Sequence, residues 1–284
     1  MMDIADIAIR ISVVLFMVGN LLAIGLETDL RAALAPLRNL RFVATVVLVD
    51  WLFGPALAIA LVRLLPMERP YEVGLLLISL APAAPFLPMM VRRAGGDPAY
   101  TAGFMLIAAI GTVLLMPVCV PLIVPGLSVD PLAVARPLVL LLLLPMAFGM
   151  ALRSASLTIA ERLLRLVRPL ASGATLVLLV AIVIRYFQGF LDAVGSFAIA
   201  AQLLYSIGLV LGGWYLAPGL ARAQRSVVSL GACTRNLGAA LAPLLVADPD
   251  PRTMVMVALG VPITLAVSYS AAGRLGGARR REEA

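Results

Sequence analysis

Two ionisable residues stand where charge is expensive: Asp50 inside the apolar run 41–64, and Arg235 inside the run 226–246. A lone charge at the centre of a membrane helix costs about 2.5 to 3.5 kcal/mol on insertion scales. Both lie nine residues in from the same-side start of their runs, about 13 Å deep at 1.5 Å per residue and close to the bilayer midplane. At matching depth they are expected to pair, with the guanidinium as a fixed cation and the carboxylate as its counter-charge. Such a pair either pins two helices together or serves a ligand site. Ser229, Thr234 and Asn236 add hydroxyl and amide groups beside Arg235, while Gly231 and Gly238 are read as letting the backbone leave helical geometry. Thr101 and Asn20 are candidate polar contacts from the runs 98–123 and 4–26, and Asn20 equally suits an amide that bonds a neighbouring helix.

Other chemistry is excluded by residue types that are missing. The sequence has no histidine, and all 22 of its basic residues are arginine. An imidazole relay, a haem or zinc histidine and a Schiff-base lysine are therefore excluded. No serine–histidine pair exists, and no second aspartate stands in mid-span beside Asp50, so an enzyme is not expected and neither is a cofactor or metal centre. Cys119 and Cys233 both fall inside apolar runs 114 positions apart and read as two free thiols.

The elements that position these groups follow from composition. With 62% hydrophobic and 13% charged residues over 284 positions, the chain holds more apolar surface than a soluble core hides, which defines an all-α polytopic membrane protein. Nine apolar runs are long enough to span: 4–26, 41–64, 71–91, 98–123, 132–152, 170–191, 195–216, 226–246 and 252–272. The third contains Pro82, Pro85 and Pro88, and three missing N–H donors at spacing three break a helix. Unpaired backbone at membrane depth is tolerated only inside protein or beside a cavity, so this break marks a transport site. The eighth run, with Arg235 and its glycines, is the second break. Five segments separate the two; an odd offset gives units of opposite orientation, the inverted-repeat plan of secondary carriers. Ser79-Leu80 and Ser229-Leu230 open the broken runs, and Asp97-Pro98 and Asp250-Pro251 open the runs after them. The organisation expected is one membrane domain over 1–284, with a four-helix first repeat at 4–123, a fifth helix plus second repeat at 132–272, and a basic cytoplasmic tail at 273–284. Pro117, Pro121 and Pro125 are expected to end the fourth helix.

Fifteen arginines, among them Arg38, Arg92, Arg168, Arg222 and Arg279, fall on one side of these runs; five (Arg63, Arg69, Arg136, Arg185 and Arg252) fall on the other. Arg10, six residues into its run, is expected to snorkel to the interface. The charge asymmetry places the N-terminus outside and the C-terminus in the cytoplasm of a multi-pass cell (inner) membrane protein. Topology accounts for the net charge of +7, so a nucleic-acid partner is not expected; membrane lipid is. The acidic start Met1-Met2-Asp3 lacks the basic region of a removable signal peptide.

Gly25-Leu26-Glu27-Thr28-Asp29-Leu30, Ala81-Pro82 followed by Gly95-Gly96-Asp97, and Arg235-Asn236-Leu237-Gly238 occur in order along the chain. Together they resemble the bile acid:sodium symporter family. The resemblance implies ten helices in two inverted five-helix repeats, a panel domain and a core domain, and broken crossing helices four and nine. Here the first helix has no counterpart, so runs three and eight match the broken pair. The resemblance also implies departures. Where sodium-coupled members carry glycines, a threonine, a serine and an asparagine, this chain has Ala83, Ala84, Pro85, Leu87 and Pro88. The hydroxyl pair on the next helix becomes Thr101 and Met105. The bridging glutamate falls on Gly231, and a glutamine pair becomes Asp50 and Arg235. Hard cations need oxygen ligands, which these side chains do not supply.

The function expected is secondary-active transport of small organic anions by alternating access without sodium coupling. A sodium-coupled symporter, or a channel or scaffold that does not transport, is the competing reading. Proton coupling through Asp50 is a further option.

Overall fold

The computed structural model describes residues 4–124, 130–245 and 250–282. Thirteen helices account for nearly all of it, and the described residues contain no strand. Helix α1 spans Ile4–Glu27 and α2 Leu30–Leu34, continued by a 3-10 turn over Ala35–Arg38. Helix α3 spans Leu40–Leu64. The interrupted third run gives α4 (Arg69–Ser79) and α5 (Leu87–Ala94). Then come α6 (Pro98–Ile123), α7 (Pro131–Ala155) and α8 (Leu157–Arg185), with a short α9 (Phe187–Asp192) and α10 (Ala198–Tyr215). The interrupted eighth run gives α11 (Arg222–Cys233) and α12 (Leu237–Leu241), and α13 runs Pro251–Glu282. Among the described residues, six helices are long and apolar enough to cross a membrane. A seventh candidate is the pair Ile11–Glu27 and Leu30–Arg38, bent by 93°.

Side-chain caps set many of the starts. Asp29 accepts from the Ala32 N–H, Asn39 from Phe42, Asp97 from Ala99 and Tyr100, Asp130 from Leu132 and Asn236 from Ala239. Each satisfies an N–H that a helix start otherwise leaves unpaired. Gly95 ends α5 with φ +67°, the left-handed cap that glycine adopts without penalty.

Several boundaries differ from the sequence reading for identifiable reasons. Helix α8 begins at Leu157, not near 170; its first turns carry Glu161, Arg162, Arg165 and Arg168, so a hydropathy window reads a helix as a loop. Pro117 and Pro121 sit inside α6 without ending it, and Pro125 lies outside the described residues. Helix α13 carries on through Glu282, so most of the expected tail at 273–284 continues the last helix. Arg10 is within α1, but its side chain is outside the described set.

Two π-helical turns precede prolines. In α3 the turn covers Leu48–Phe53 just before Pro55, with the Gly54 N–H bonded back to the Val49 carbonyl. In α7 it covers Val139–Leu143 just before Pro145, with Leu144 bonded to Val139. The wider turn relieves the clash that a proline ring makes one turn back. The first of these turns carries Asp50.

Packing falls into two groups. Helix α1 lies against α7 and α8; α4, α5, α10, α11 and α13 pack among themselves, and α3 joins them through α10. The outer face of α8 leaves Leu170, Leu176 and Ile184 largely exposed, as a lipid-facing surface requires.

Candidate functional site

The third and eighth runs are both interrupted, and the interruptions meet. Between α4 and α5 the chain leaves helical geometry at 81–85, and between α11 and α12 at 234–236. The Asn236 N–H donates to the Ala81 carbonyl at 2.8 Å, and Pro82 and Arg235 form an isolated antiparallel bridge. Unwound backbone from each run thus supplies a partner to the other, as burial demands. Pro82 and Pro85 lie within the break, whereas Pro88 sits in the first turn of α5, where its missing N–H is harmless. Ala83 takes φ +62°, a left-handed conformation that costs a residue with a Cβ roughly 1 to 2 kcal/mol.

Gly231 and Gly238 play a different part from the one expected. Both lie in helical backbone, and what they provide is room. A Cβ on Gly231 meets the Phe104 ring at 2.5 Å, and one on Gly238 meets Met17 Cγ at 2.5 Å. Their lack of a side chain lets α11 approach α6 and α12 approach α1.

Arg235 extends from this crossing toward α3. Its Nη2 stands 3.8 Å from Asp50 Oδ1, with side chains 3% and 0% exposed. That is an ion contact, longer than a hydrogen bond. Nη1 donates to the Ser79 carbonyl at 3.3 Å, and the guanidinium lies 5.6 Å from the Tyr205 ring centroid in cation–π range. Gly54 is the backbone position that admits it: a Cβ there meets Nη2 at 3.1 Å and the Tyr205 hydroxyl at 3.4 Å. Both Asp50 oxygens, Arg235 Nε and Nη2, the Tyr205 hydroxyl, Ser206 Oγ and Gln202 Oε1 are buried without a hydrogen-bond partner. Gln202, Tyr205 and Ser206 were missed in the sequence. Their spacing of three and one places them on one face of α10, and polar residues recurring at that spacing in an apolar run are the signal that finds them.

The remaining candidates separate. Thr234 Oγ1 donates to the Gly231 carbonyl at 3.1 Å, within the last turn of α11, and Ser229 Oγ donates to the Val210 carbonyl of α10 at 2.7 Å, so both hydroxyls are spent on backbone. Thr101 Oγ1 donates to the Asp97 carbonyl at 2.7 Å. Asn20 Nδ2 donates to the Phe16 carbonyl at 2.9 Å and to Thr175 Oγ1 at 3.0 Å, tying α1 to α8. Cys119 and Cys233 are free.

A crevice runs between the two packing groups. Two adjoining cavities of about 650 and 440 Å³ share Ile24, Glu27, Pro88, Arg92 and Arg168. Thr101 lines the larger one. The smaller reaches Asn20, Thr175 and Arg235. Glu27 and Arg168 are ion-paired across α1 and α8.

The cavity beside Pro82, Ala83 and Asn236 amounts to about 10 Å³; Leu21, Met105 and Met146 contribute aliphatic and thioether groups to its wall, and Thr112 and Asn236 contribute the polar side chains.

An all-helical chain with several membrane-length helices, whose interrupted segments cross in the interior beside a crevice, has the build of a multi-pass membrane transporter. The family model of the Sodium Bile acid symporter family matches residues 13–191, and the chain belongs to that family. No curated protein matches it.

Proposed function

We propose that this protein is a secondary-active carrier of small organic anions that works by alternating access and is not coupled to sodium. The observation that carries the proposal is Arg235: a residue at the crossing of two interrupted spans that lines the crevice and whose buried guanidinium is paired with Asp50. It supplies permanently the positive charge that a travelling cation supplies elsewhere in such sites. An anion entering the crevice also meets Arg92 and Arg168.

The architecture proposed is nine spans, counting the two interrupted ones, in inverted repeats: 4–123 first, then a fifth helix and a second repeat over 132–272. The association of α1, α7 and α8 supports a panel, and that of α3 to α6 with α10 to α13 supports a core that moves against it. The arginine asymmetry supports an inner-membrane protein with its N-terminus outside and its C-terminus in the cytoplasm. The crevice then opens to the cytoplasm, because Arg92 and Arg168 belong to the arginine-rich side.

Counterflow of labelled cholate in proteoliposomes tests the reading. Uptake stimulated by unlabelled cholate inside, and equal in sodium and choline media, supports it. Absence of counterflow refutes a carrier of this type, and exchange that needs sodium refutes the uncoupled mechanism.

A further inference from the structure

At the start of α3, Arg41 reaches across to the turn that joins α10 to α11. A Cβ on Gly219 meets Arg41 Nη1 at 2.8 Å, and Gly219 has φ +76°. Glycine holds that backbone angle without strain and leaves the guanidinium room to lie on the turn. Arg41 is nonetheless exposed. On the same turn, Arg225 Nε and Nη2 donate to the Trp214 carbonyl at 3.2 and 2.8 Å, and the Arg225 guanidinium lies 4.4 Å from the Trp214 ring centroid. This closes the C-terminal end of α10 with a cation, as the helix dipole favours. Arg222 stands 6.0 Å from the same ring.

Little negative charge opposes these groups. Neither 31–49 nor 193–247 contains an aspartate or glutamate. Asp97 comes beside α11, its N–H donating to the Ala223 carbonyl, but its carboxylate accepts the Ala99 and Tyr100 N–H groups. The turn therefore presents an excess of positive charge at the end of two membrane helices.

The surface leading away from it is apolar. Ala44, Leu48 and Leu52 follow Arg41 at spacings of three and four along α3, and all are exposed. On α10, Leu204, Leu211 and Tyr215 are exposed and share a face with Gly208. The helices pack closely beside that face: a Cβ on Gly208 meets Leu57 Cδ2 at 2.6 Å, and one on Gly212 meets Phe53 Cε1 at 2.1 Å. The exposed stripes of α3 and α10 thus flank one shallow groove, with Arg41 at its head and Tyr215 at the level where aromatic residues meet lipid headgroups.

We infer that this groove seats an anionic phospholipid, its phosphate held by Arg41 over Gly219 and its acyl chains lying along Leu48, Leu52 and Leu211. Charge complementarity selects the lipid class: a neutral lipid satisfies the apolar groove and leaves the cationic head of it unanswered. The orientation proposed above assigns the lipid to the cytoplasmic leaflet. A lipid here bridges the helix that carries Asp50 and the helix that carries Tyr205.

Native mass spectrometry of the full-length protein in neutral detergent, titrated with dioleoyl phosphatidylglycerol or dioleoyl phosphatidylcholine, tests the inference. The first phosphatidylglycerol is expected to bind about fivefold more tightly than the first phosphatidylcholine and to raise the melting temperature. Arg41→Gln should remove that preference. Arg162→Gln, the same charge change at an exposed arginine of α8, should leave it intact. Leu211→Gln, on the acyl face, should weaken both lipids alike, which keeps the groove testable if the Arg41 variant does not fold. Equal affinity for the two lipids, a preference that survives Arg41→Gln or falls equally in Arg162→Gln, or the same stabilisation by inorganic phosphate overturns the inference. Self-association through this face that neither lipid displaces also overturns it, and assigns the groove to a second copy of the chain.

Discussion

Arg235 and Asp50 face each other at 3.8 Å with their side chains almost wholly buried, and the carboxylate has no hydrogen-bond donor of its own. Removing one partner of a buried pair leaves an uncompensated charge, which typically costs about 3 to 5 kcal/mol, whereas removing both can be nearly neutral. Asp50→Asn and Arg235→Gln should each destabilise the detergent-solubilised protein by about 3 kcal/mol, and the double variant should recover at least half of the combined loss. Additive losses, measured by thermal unfolding, rule out the pairing.

Gly231 is surrounded by the Phe104 ring, whose nearest atoms come within 2.5 Å of an added Cβ. Overpacking of this kind costs about 1 to 3 kcal/mol. Gly231→Ala should lower the melting temperature, and pairing it with Phe104→Leu should restore part of the loss. A Gly231→Ala protein as stable as the parent contradicts the close approach of α11 to α6.

Ala83 holds a left-handed φ of +62° at the centre of the first interruption. Ala83→Gly removes that strain and adds some unfolded-state freedom, for a net stabilisation of about 0.5 to 1 kcal/mol. Ala83→Val, β-branched at the same position, should destabilise by more than 1 kcal/mol on the same grounds. Thermal unfolding of the two variants reads the difference, and equal melting temperatures are incompatible with a left-handed residue there.

Just before α13 begins, Asp250 accepts hydrogen bonds from Arg252, which is also ion-paired with Glu68. The Arg252 side-chain hydrogen bond holds the Asp250 carboxyl below its ordinary range. A carboxylate with a depressed folded-state value contributes stability that is fully present above its unfolded value, about 4, and is lost as pH falls through the lower folded value. The melting temperatures of wild type and Asp250→Asn should therefore differ near neutrality and converge in acid. The gap is small, since the pair is solvent-screened, and a gap that widens in acid contradicts the assignment.

How much of this was legible in the sequence depends on the physics of each feature. The long apolar helices and both interruptions can be read directly, because hydropathy and proline placement are local. The common depth of Asp50 and Arg235 was legible by counting residues, since a helix converts count into height. The partners of Arg235 were not. Tyr205 and the Ser79 carbonyl reach it only through tertiary packing, and Gly54 is one glycine in a run where any small residue passes for core. Gly231 and Gly238 misled because glycine has two uses, backbone freedom and close approach, that only neighbours such as Phe104 and Met17 distinguish. The start of α8 was hidden because its amphipathic first turns carry as many charges as a loop. The crevice pole at Glu27, Arg92 and Arg168 joins residues far apart in the chain, and no local pattern links them.

The measurement that bears most directly on the central claim is cholate counterflow in proteoliposomes prepared in choline medium, comparing wild type with Arg235→Gln. A fixed guanidinium serving in place of a travelling cation predicts trans-stimulated uptake by the wild type without sodium, unchanged when sodium is added, and its loss in the variant. Uptake that appears only with sodium, or that persists undiminished in Arg235→Gln, contradicts it.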